Sequence, residues 1–238
     1  MRYPKDHKRA TRRRLVERAG SHAKKHGFND SGMAALAASA GVTTGALYKH
    51  FDGKAELFGA LIAAELERTA QMYGAIDPAD SAGVARLLAG YLDLPHVRHP
   101  EQGCPLPSLT AEVARADASV RAAYQAGVLD IHAVLQRLTG TSDAAWTLMA
   151  QNVGAVMLAR ALPNEQLQKE LLSALRVAAE GLLEQPSRPS SNSSRVEPVC
   201  AITQTERVDA AKMNHEGACP NRRRAASGAP QKTHSRER

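Results

Sequence analysis

The chain has 238 residues, of which 43% are hydrophobic, and a formal net charge of +7. This length is sufficient for one or two helical units with a real core, whereas three widely spaced cysteines, Cys104, Cys200 and Cys219, argue against a disulfide framework. Because no apolar stretch follows the basic start and the uncharged run at residues 144–159 is too short for a bilayer, neither a secretory signal nor a membrane-spanning segment is expected. The expected compartment is the cytoplasm.

The charge is distributed unevenly along the chain. Residues 1–56 hold 12 lysines and arginines against 5 acidic residues, and residues 57–185 hold 9 against 14. Residues 186–238 hold 10 against 5. A cationic head on an acidic body favours a polyanionic partner at the head only.

Helical spacing of apolar residues begins near Lys8 and continues to His26, and Gly27 ends it. A second apolar pattern starts at Met33 and ends at Gly41, since glycine takes the left-handed conformation at little cost. This spacing predicts two helices separated by a short loop.

A third short helix follows at once. Thr43 or Thr44 is placed to cap it, and Leu47 and Phe51, four residues apart, point inward. Its other face carries small, hydrogen-bonding and cationic groups: Thr44, Gly45, Tyr48, Lys49 and His50. Such a surface is typical of a helix-turn-helix that enters a DNA major groove. Lys54 then opens a longer helix, where a cation is unfavourable with the helix dipole unless a phosphate lies beside it.

Further helices are predicted along the rest of the body. They cover residues 54–73, 84–91, 109–139 in two pieces divided near Asp117, 143–161 and 165–183. The proline-rich segment 95–107 is predicted to be irregular. The last helix carries one apolar stripe, made of Leu167, Leu171, Leu175, Ala178 and Leu182. No segment alternates as a strand does, so the predicted fold class is all-α, and the Ser/Pro/Arg-rich residues 186–238 are predicted to be a disordered tail.

With these residues in view, the chain resembles the TetR/AcrR family of transcriptional repressors. The likeness lies in an arginine-rich first helix followed by LAASAGVTTGALYKHFDGKAELF at residues 36–58, and residues 103–128 are similar, less specifically, to C-terminal domains of that family. The resemblance implies an all-helical homodimer. Each subunit would have a helix-turn-helix DNA-binding domain at residues 1–56 and a helical effector-binding and dimerisation domain at residues 57–185, whose last two helices form the dimer interface.

The resemblance also implies which residues contact a double-stranded DNA operator. Family members often carry two hydroxyl residues at the start of the second helix, where this chain has Ser31 and Gly32, so only Ser31 keeps the hydroxyl. The predicted DNA-binding residues are Ser31, Thr43, Thr44, Gly45, Tyr48, Lys49, His50 and Lys54. For Thr44 the alternative is capping alone, and for the arginines of the first helix it is a solvated face.

Cys104 is the candidate effector or redox residue. It lies between Gly103 and Pro105, just before a helical segment, and a thiol near a helix N-terminus has a lowered pKa. The alternative is a small, buried, inert thiol. A second alternative is a metal site, since His96, His99 and Cys104 are residue types that suit zinc or copper, although no fourth ligand is evident.

No catalytic motif is present in the sequence, so the protein is not expected to be an enzyme and no cofactor is expected. We predict a DNA-binding transcriptional repressor that a small-molecule or electrophile/oxidant effector releases from its operator. The alternatives are a metal-responsive repressor that uses His96, His99 and Cys104, or a small-molecule carrier or enzyme that retains a helix-turn-helix.

Overall fold

The computed structural model describes residues 5–184, and this part of the chain forms ten α-helices and no strand. The all-helical prediction is confirmed. The predicted disordered tail, with Cys200 and Cys219, lies outside the described residues. The helices are α1 (Lys5–His26), α2 (Met33–Ser39), α3 (Thr44–Tyr48), α4 (Lys54–Gly74), α5 (Ser81–Tyr91), α6 (Leu94–Arg98), α7 (Leu106–Val113), α8 (Ala118–Thr139), α9 (Ser142–Ala161) and α10 (Glu165–Glu184). None of them is both long enough and apolar enough to cross a membrane.

The first three helices pack as a small head around a shared apolar centre. Gly27 and Gly41 both have positive φ, 80° and 72°, which lets the chain reverse direction after α1 and α2. The buried side chains at the centre are Leu15, Val16, Phe28, Leu36, Leu47 and Phe51. The helix-turn-helix predicted from the Gly-Val turn is therefore present.

Helix α4 runs without a break from the head into the body. At its start Phe58 stacks on Phe28, with ring centroids 4.1 Å apart. Farther along it packs closely on α8, where a Cβ at Gly127 would lie 2.5 Å from the Cβ of Leu66. The predicted division between residues 56 and 57 falls in the first turn of this helix, and it stays a prediction.

The structure corrects the prediction of an irregular segment at residues 95–107. Residues 94–98 form α6, and α7 already begins at Leu106. Asp93 caps α6 by accepting a hydrogen bond from the backbone N–H of His96, at 2.8 Å. Proline is tolerated in a first helical turn, because the N–H it lacks has no intrahelical acceptor there. Pro95, Pro105 and Pro107 therefore mark helix starts, whereas Pro100 lies in the turn between α6 and α7.

The predicted apolar stripe of α10 is divided between the core and the surface. Leu171, Leu175 and Leu182 are half-buried and pack against the core, whereas Leu167 and Ala178 are exposed. The buried side chains of this helix, Leu172 and Ala179, lie beside the stripe. Several apolar side chains of the last two helices stay exposed: Met157, Leu158, Leu167 and Val177.

Candidate nucleic-acid interface and effector cavity

The third helix is anchored on one face and open on the other. Leu47 within it and Phe51 just after it are buried, as predicted. Tyr48 is 51% exposed, and Lys49 and Gly45 are exposed beside it. A Cβ added at Gly45 would meet no protein atom within 4 Å. The helix therefore presents a small, polar and cationic surface outward. The packing of the head does not require a glycine at position 45.

The structure decides which threonine caps α3. Thr43 occupies the N-cap position, and its Oγ1 accepts a hydrogen bond from the backbone N–H of Ala46 at 3.2 Å. Thr44 is the first residue of the helix and is half-buried. The DNA contacts predicted for both threonines stay predictions, and that of Thr43 has to coexist with its capping bond.

Arg12 of α1 fixes the end of the recognition helix, a role that sequence reasoning missed. Its guanidinium donates to the backbone carbonyl of His50 and to Glu56 Oε1, the latter at 2.8 Å. It also lies 4.1 Å above the ring centroid of Phe51. Burial, together with the nearby charges of Lys8 and Arg12, lowers the pKa of His50. This imidazole is therefore neutral at pH 7, and it would meet DNA as a hydrogen-bonding group.

Two of the predicted DNA-binding residues have partners inside the protein. Lys54 Nζ donates to the backbone carbonyl of Asn29 at 2.9 Å and lies 5.2 Å from the ring centroid of Phe28. The Ser31 hydroxyl is buried and donates to the carbonyl of Gly27 at 2.6 Å. An ammonium has three donors, so Lys54 keeps capacity for a phosphate. Ser31 is set apart from the exposed surface, and its phosphate contact stays a prediction.

The body holds a cavity of about 400 Å³ beside α4, α5 and the segment around α6. A volume of this size is typical of small-molecule sites, and here about half of the lining residues are polar or charged. A second cavity of about 20 Å³ lies deeper and shares Tyr73, Leu87, Tyr91 and Cys104 with the first. We call them the outer and inner cavities. The outer one is lined by Arg68, Thr69, Met72, Tyr73, Arg86, Leu87, Gly90, Tyr91, Asp93, Pro95, His96, His99, Gln102, Gly103 and Cys104.

Cys104 lies in the wall between the two cavities, and its predicted lowered pKa is wrong. The residue is only 7% exposed, and burial raises the pKa of the thiol. Contacts with the backbone of Leu106 and the side chains of Tyr91 and Thr69 act in the opposite direction, and they do not offset the loss of hydration. At neutral pH the group is a protonated thiol.

The predicted metal ligands do not form a metal site. His96 Nδ1 lies 2.7 Å from the Tyr91 carbonyl, and its Nε2 accepts the backbone N–H of Cys104 at 3.2 Å. Both ring nitrogens are therefore used, and His99 points to Glu101 instead. Within residues 5–184 no group of three histidine, cysteine or acidic side chains is arranged to hold an ion. The described residues therefore contradict the alternative of a metal-responsive repressor that uses His96, His99 and Cys104.

A buried ion pair connects the head to the cavity wall. Lys24 Nζ of α1 donates to Glu65 Oε2 at 2.7 Å and to the carbonyl of Gly103 at 2.9 Å. Arg68 also pairs with Glu65 Oε2 at 2.7 Å. Sequence reasoning missed this link. The signal in the sequence was Glu65 itself, a carboxylate at an inward helical step of α4. In the structure a Cβ at Gly20 would lie 2.8 Å from Glu65 Oε1, so α1 and α4 approach closely here.

Helix α7 makes a second connection to the head. The carboxylate of Glu112 accepts the backbone N–H groups of Phe28 at 3.0 Å and Asn29 at 2.5 Å. Because Asn29 also accepts from Lys54, the loop between α1 and α2 is held by both α4 and α7. Movement of α7 would therefore displace this loop of the head.

A three-helix head with an exposed polar recognition helix defines the class of helix-turn-helix DNA-binding proteins. Residues 15–61 match the family model for bacterial regulatory proteins of the tetR family. This match assigns the head of the chain and the start of α4 to the TetR/AcrR family of transcriptional regulators.

Solved structures share the fold over most of the chain. E. coli NemR in its reduced form is 19% identical, with a TM-score of 0.62, and the match covers 75% of this chain and 100% of that one. A TetR regulator from Chloroflexus aurantiacus is 19% identical over 74% and 96% of the two chains, with a TM-score of 0.59. One from Cytophaga hutchinsonii is 17% identical over 78% and 100%, with a TM-score of 0.59. No curated protein matches the chain significantly.

Proposed function

We propose that two copies of this chain form a transcriptional repressor that leaves its operator when a small molecule occupies the outer cavity. The observation that carries the proposal is the position of Gly103. Its backbone lines the cavity and at the same time accepts a hydrogen bond from Lys24 of the DNA-binding head. A ligand that moves this segment therefore acts on the helix that supports the recognition surface.

The DNA-binding part of the proposal rests on the open face of α3 and on the charge of the head. Tyr48, Lys49 and Gly45 share this exposed face. Residues 1–56 supply 12 basic residues, which favour binding to a phosphate backbone. Two recognition helices must lie about 34–36 Å apart to read half-sites one DNA turn apart. The exposed apolar side chains on α9 and α10 are the surface that would pair the two copies.

Release would follow from a change in the distance between the two heads. An effector that binds more tightly to one arrangement of the α6–α7 segment shifts the population toward that arrangement. The bonds from Lys24 to Gly103 and from Glu112 to the loop after α1 would carry the shift into the head. Operator and effector would then weaken each other's binding by the same factor.

The test is to select duplexes from a random pool with the full chain and then to measure their affinity at physiological salt. Compounds are next screened for release of the selected duplex. We expect a roughly palindromic site, and Tyr48→Ala should weaken specific binding while the protein stays folded. Sequence-independent binding alone, equal in wild type and Tyr48→Ala, would instead favour a carrier or enzyme that retains a helix-turn-helix.

An electrophile is a second candidate effector, because Cys104 lies in the wall of the outer cavity. The sulfur of Cys104 would add to the β-carbon of a conjugated enone bound there, and the thiol proton would be transferred to the α-carbon. The raised pKa of the thiol makes this addition slow at neutral pH. Operator affinity is compared before and after alkylation in wild type and in Cys104→Ser. Unchanged wild-type affinity after modification of Cys104, verified by mass spectrometry, would remove this candidate and leave the reversible effector.

A further inference from the structure

Asn152 on α9 has an unusual position at the inner cavity. The residue is 8% exposed and lines this cavity, and its Oδ1 is buried with no hydrogen-bond partner among the described residues. Buried polar atoms in folded proteins nearly always have a partner, because an unpaired acceptor carries its full desolvation cost. The oxygen therefore needs a donor from outside the protein.

The surroundings of Asn152 restrict what that donor can be. The inner cavity is lined by no lysine, arginine, aspartate or glutamate, and its remaining walls are mostly aliphatic. An ammonium donor would be left there without a counter-charge, and a carboxylate would face the amide oxygen with two further acceptors. The chemistry favours a neutral donor, which is either one water molecule or the hydroxyl of a ligand.

The inner cavity adjoins the outer one. The inner and outer cavities share Tyr73, Leu87, Tyr91 and Cys104 as common walls. The outer cavity is also lined by Met72, which is 55% exposed, so it reaches the surface. About 400 Å³ is enough for an aromatic ring with a short chain, whereas the inner cavity of about 20 Å³ has room for one hydroxyl or one water.

We propose that the effector is a neutral, largely apolar molecule that leads with a hydroxyl group, and that this hydroxyl donates to Asn152 Oδ1. The apolar body lies between Tyr73 and Tyr91 in the outer cavity. This inference rests on the proposed effector site, and it adds the chemical class of the effector. The acceptor at the closed end makes the site select for a donor at the leading end of the ligand.

The probes are 4-propylphenol and its methyl ether 4-propylanisole, which share ring and chain and differ in the donor. Binding to the full-length protein is measured by calorimetry without DNA. We expect the phenol to bind about five- to tenfold more tightly than the ether, the range of one neutral hydrogen bond to a buried acceptor. Asn152→Leu and Asn152→Ala both remove the acceptor, and both should abolish the difference. The alanine variant leaves more room, so it separates loss of the bond from a steric effect of the ether.

Three results would overturn the inference. Equal binding of both probes to wild type would mean that a water satisfies Asn152. A preference for the phenol that persists in both variants would place the hydroxyl elsewhere, and absence of binding by either probe would show that the cavity takes another class. Because no DNA is present, these results are independent of operator binding. If the phenol preference fails, the repressor proposal is unaffected. If the preference is confirmed but the protein binds no operator, the repressor proposal fails and the hydroxyl site remains.

Discussion

Lys24 Nζ lies 2.7 Å from Glu65 Oε2, and the two side chains are only 1% and 7% exposed. The two residues are 41 positions apart, on the first helix of the head and on the helix that enters the body. Two charges taken out of water stabilise a protein only through each other and through further hydrogen bonds. Here Gly103 and Arg68 supply those bonds, so the ion pair joins the head to the cavity wall beside the separate connection made by Glu112.

The first prediction concerns this pair. Lys24→Met should lower the free energy of unfolding by about 3 kcal/mol, because Glu65 is left buried with only the half-exposed Arg68 as a partner. The double variant Lys24→Met/Glu65→Leu should lose less than the sum of the two single variants. Urea denaturation of the four proteins measures this, and additive losses would show that the pair contributes no coupling.

The second prediction uses Lys49, which is exposed on the open face of α3. If its ammonium neutralises one operator phosphate, Lys49→Ala should weaken binding and reduce the slope of log affinity against log salt by about one unit. Arg137→Ala is the matched control, since this exposed cation lies beside Gly74 at the far end of α4. A slope equally affected in both variants would mean a general charge effect.

The third prediction separates folding from DNA contact at Gly45. Its Cβ position is open, so Gly45→Ala should fit the head and stabilise it by at most about 1 kcal/mol through helix propensity. Operator affinity should nevertheless fall, because the added methyl group would stand where the backbone approaches DNA. Thermal unfolding and fluorescence anisotropy give the two quantities. Unchanged affinity in a stabilised variant would place Gly45 outside the contact.

The fourth prediction is a dimer held by α9 and α10. Leu158 is 59% exposed and Val177 is 67% exposed, so they are available to a second copy. Leu158→Glu with Val177→Glu should give monomers by light scattering, with the helical circular dichroism unchanged. Leu129→Glu makes the same change at an exposed apolar residue of α8 and should leave the dimer intact. A monomeric wild-type protein at micromolar concentration would contradict the prediction.

The fifth prediction is a loss of stability in acid that depends on His96. Burial lowers the pKa of this imidazole below its usual 6.5, with Arg160 and Lys24 acting in the same direction and the Tyr91 carbonyl and Asp93 opposing. The unfolded chain then takes up the proton first. The stabilisation from the neutral ring is therefore fully present above pH 6.5 and is lost as the pH falls through the lowered pKa.

The measurement is the free energy of unfolding between pH 7.5 and 5, in wild type and in His96→Gln. The glutamine variant should be less stable at pH 7.5 and should lose less on acidification, because it has no proton to take up at this position. The half-buried His22 and His50 also have lowered pKa values and remain in both proteins, so they cancel in the comparison. Parallel curves for the two proteins would show that His96 contributes nothing to the pH dependence.

Local sequence patterns were enough to predict the helix-turn-helix, the inward Leu47 and Phe51 and the order of the longer helices. These features depend on spacing within a few residues, where glycine, capping residues and the helical period act directly. The short α6 was missed because prolines were interpreted as breaks, although a proline in a first turn follows the same local rules.

The partners of the buried polar groups follow from the folded arrangement and not from local sequence. Lys24 meets Glu65 and Gly103 across 41 and 79 positions, Arg12 reaches His50 across 38, and Cys104 loses its expected acidity because the surrounding segments remove its water. That Asn152 Oδ1 has no hydrogen-bond partner among the described residues likewise depends on which segments surround it. Periodicity tells which side of a helix is buried, but burial, pKa and hydrogen bonding depend on the atoms that distant segments place there.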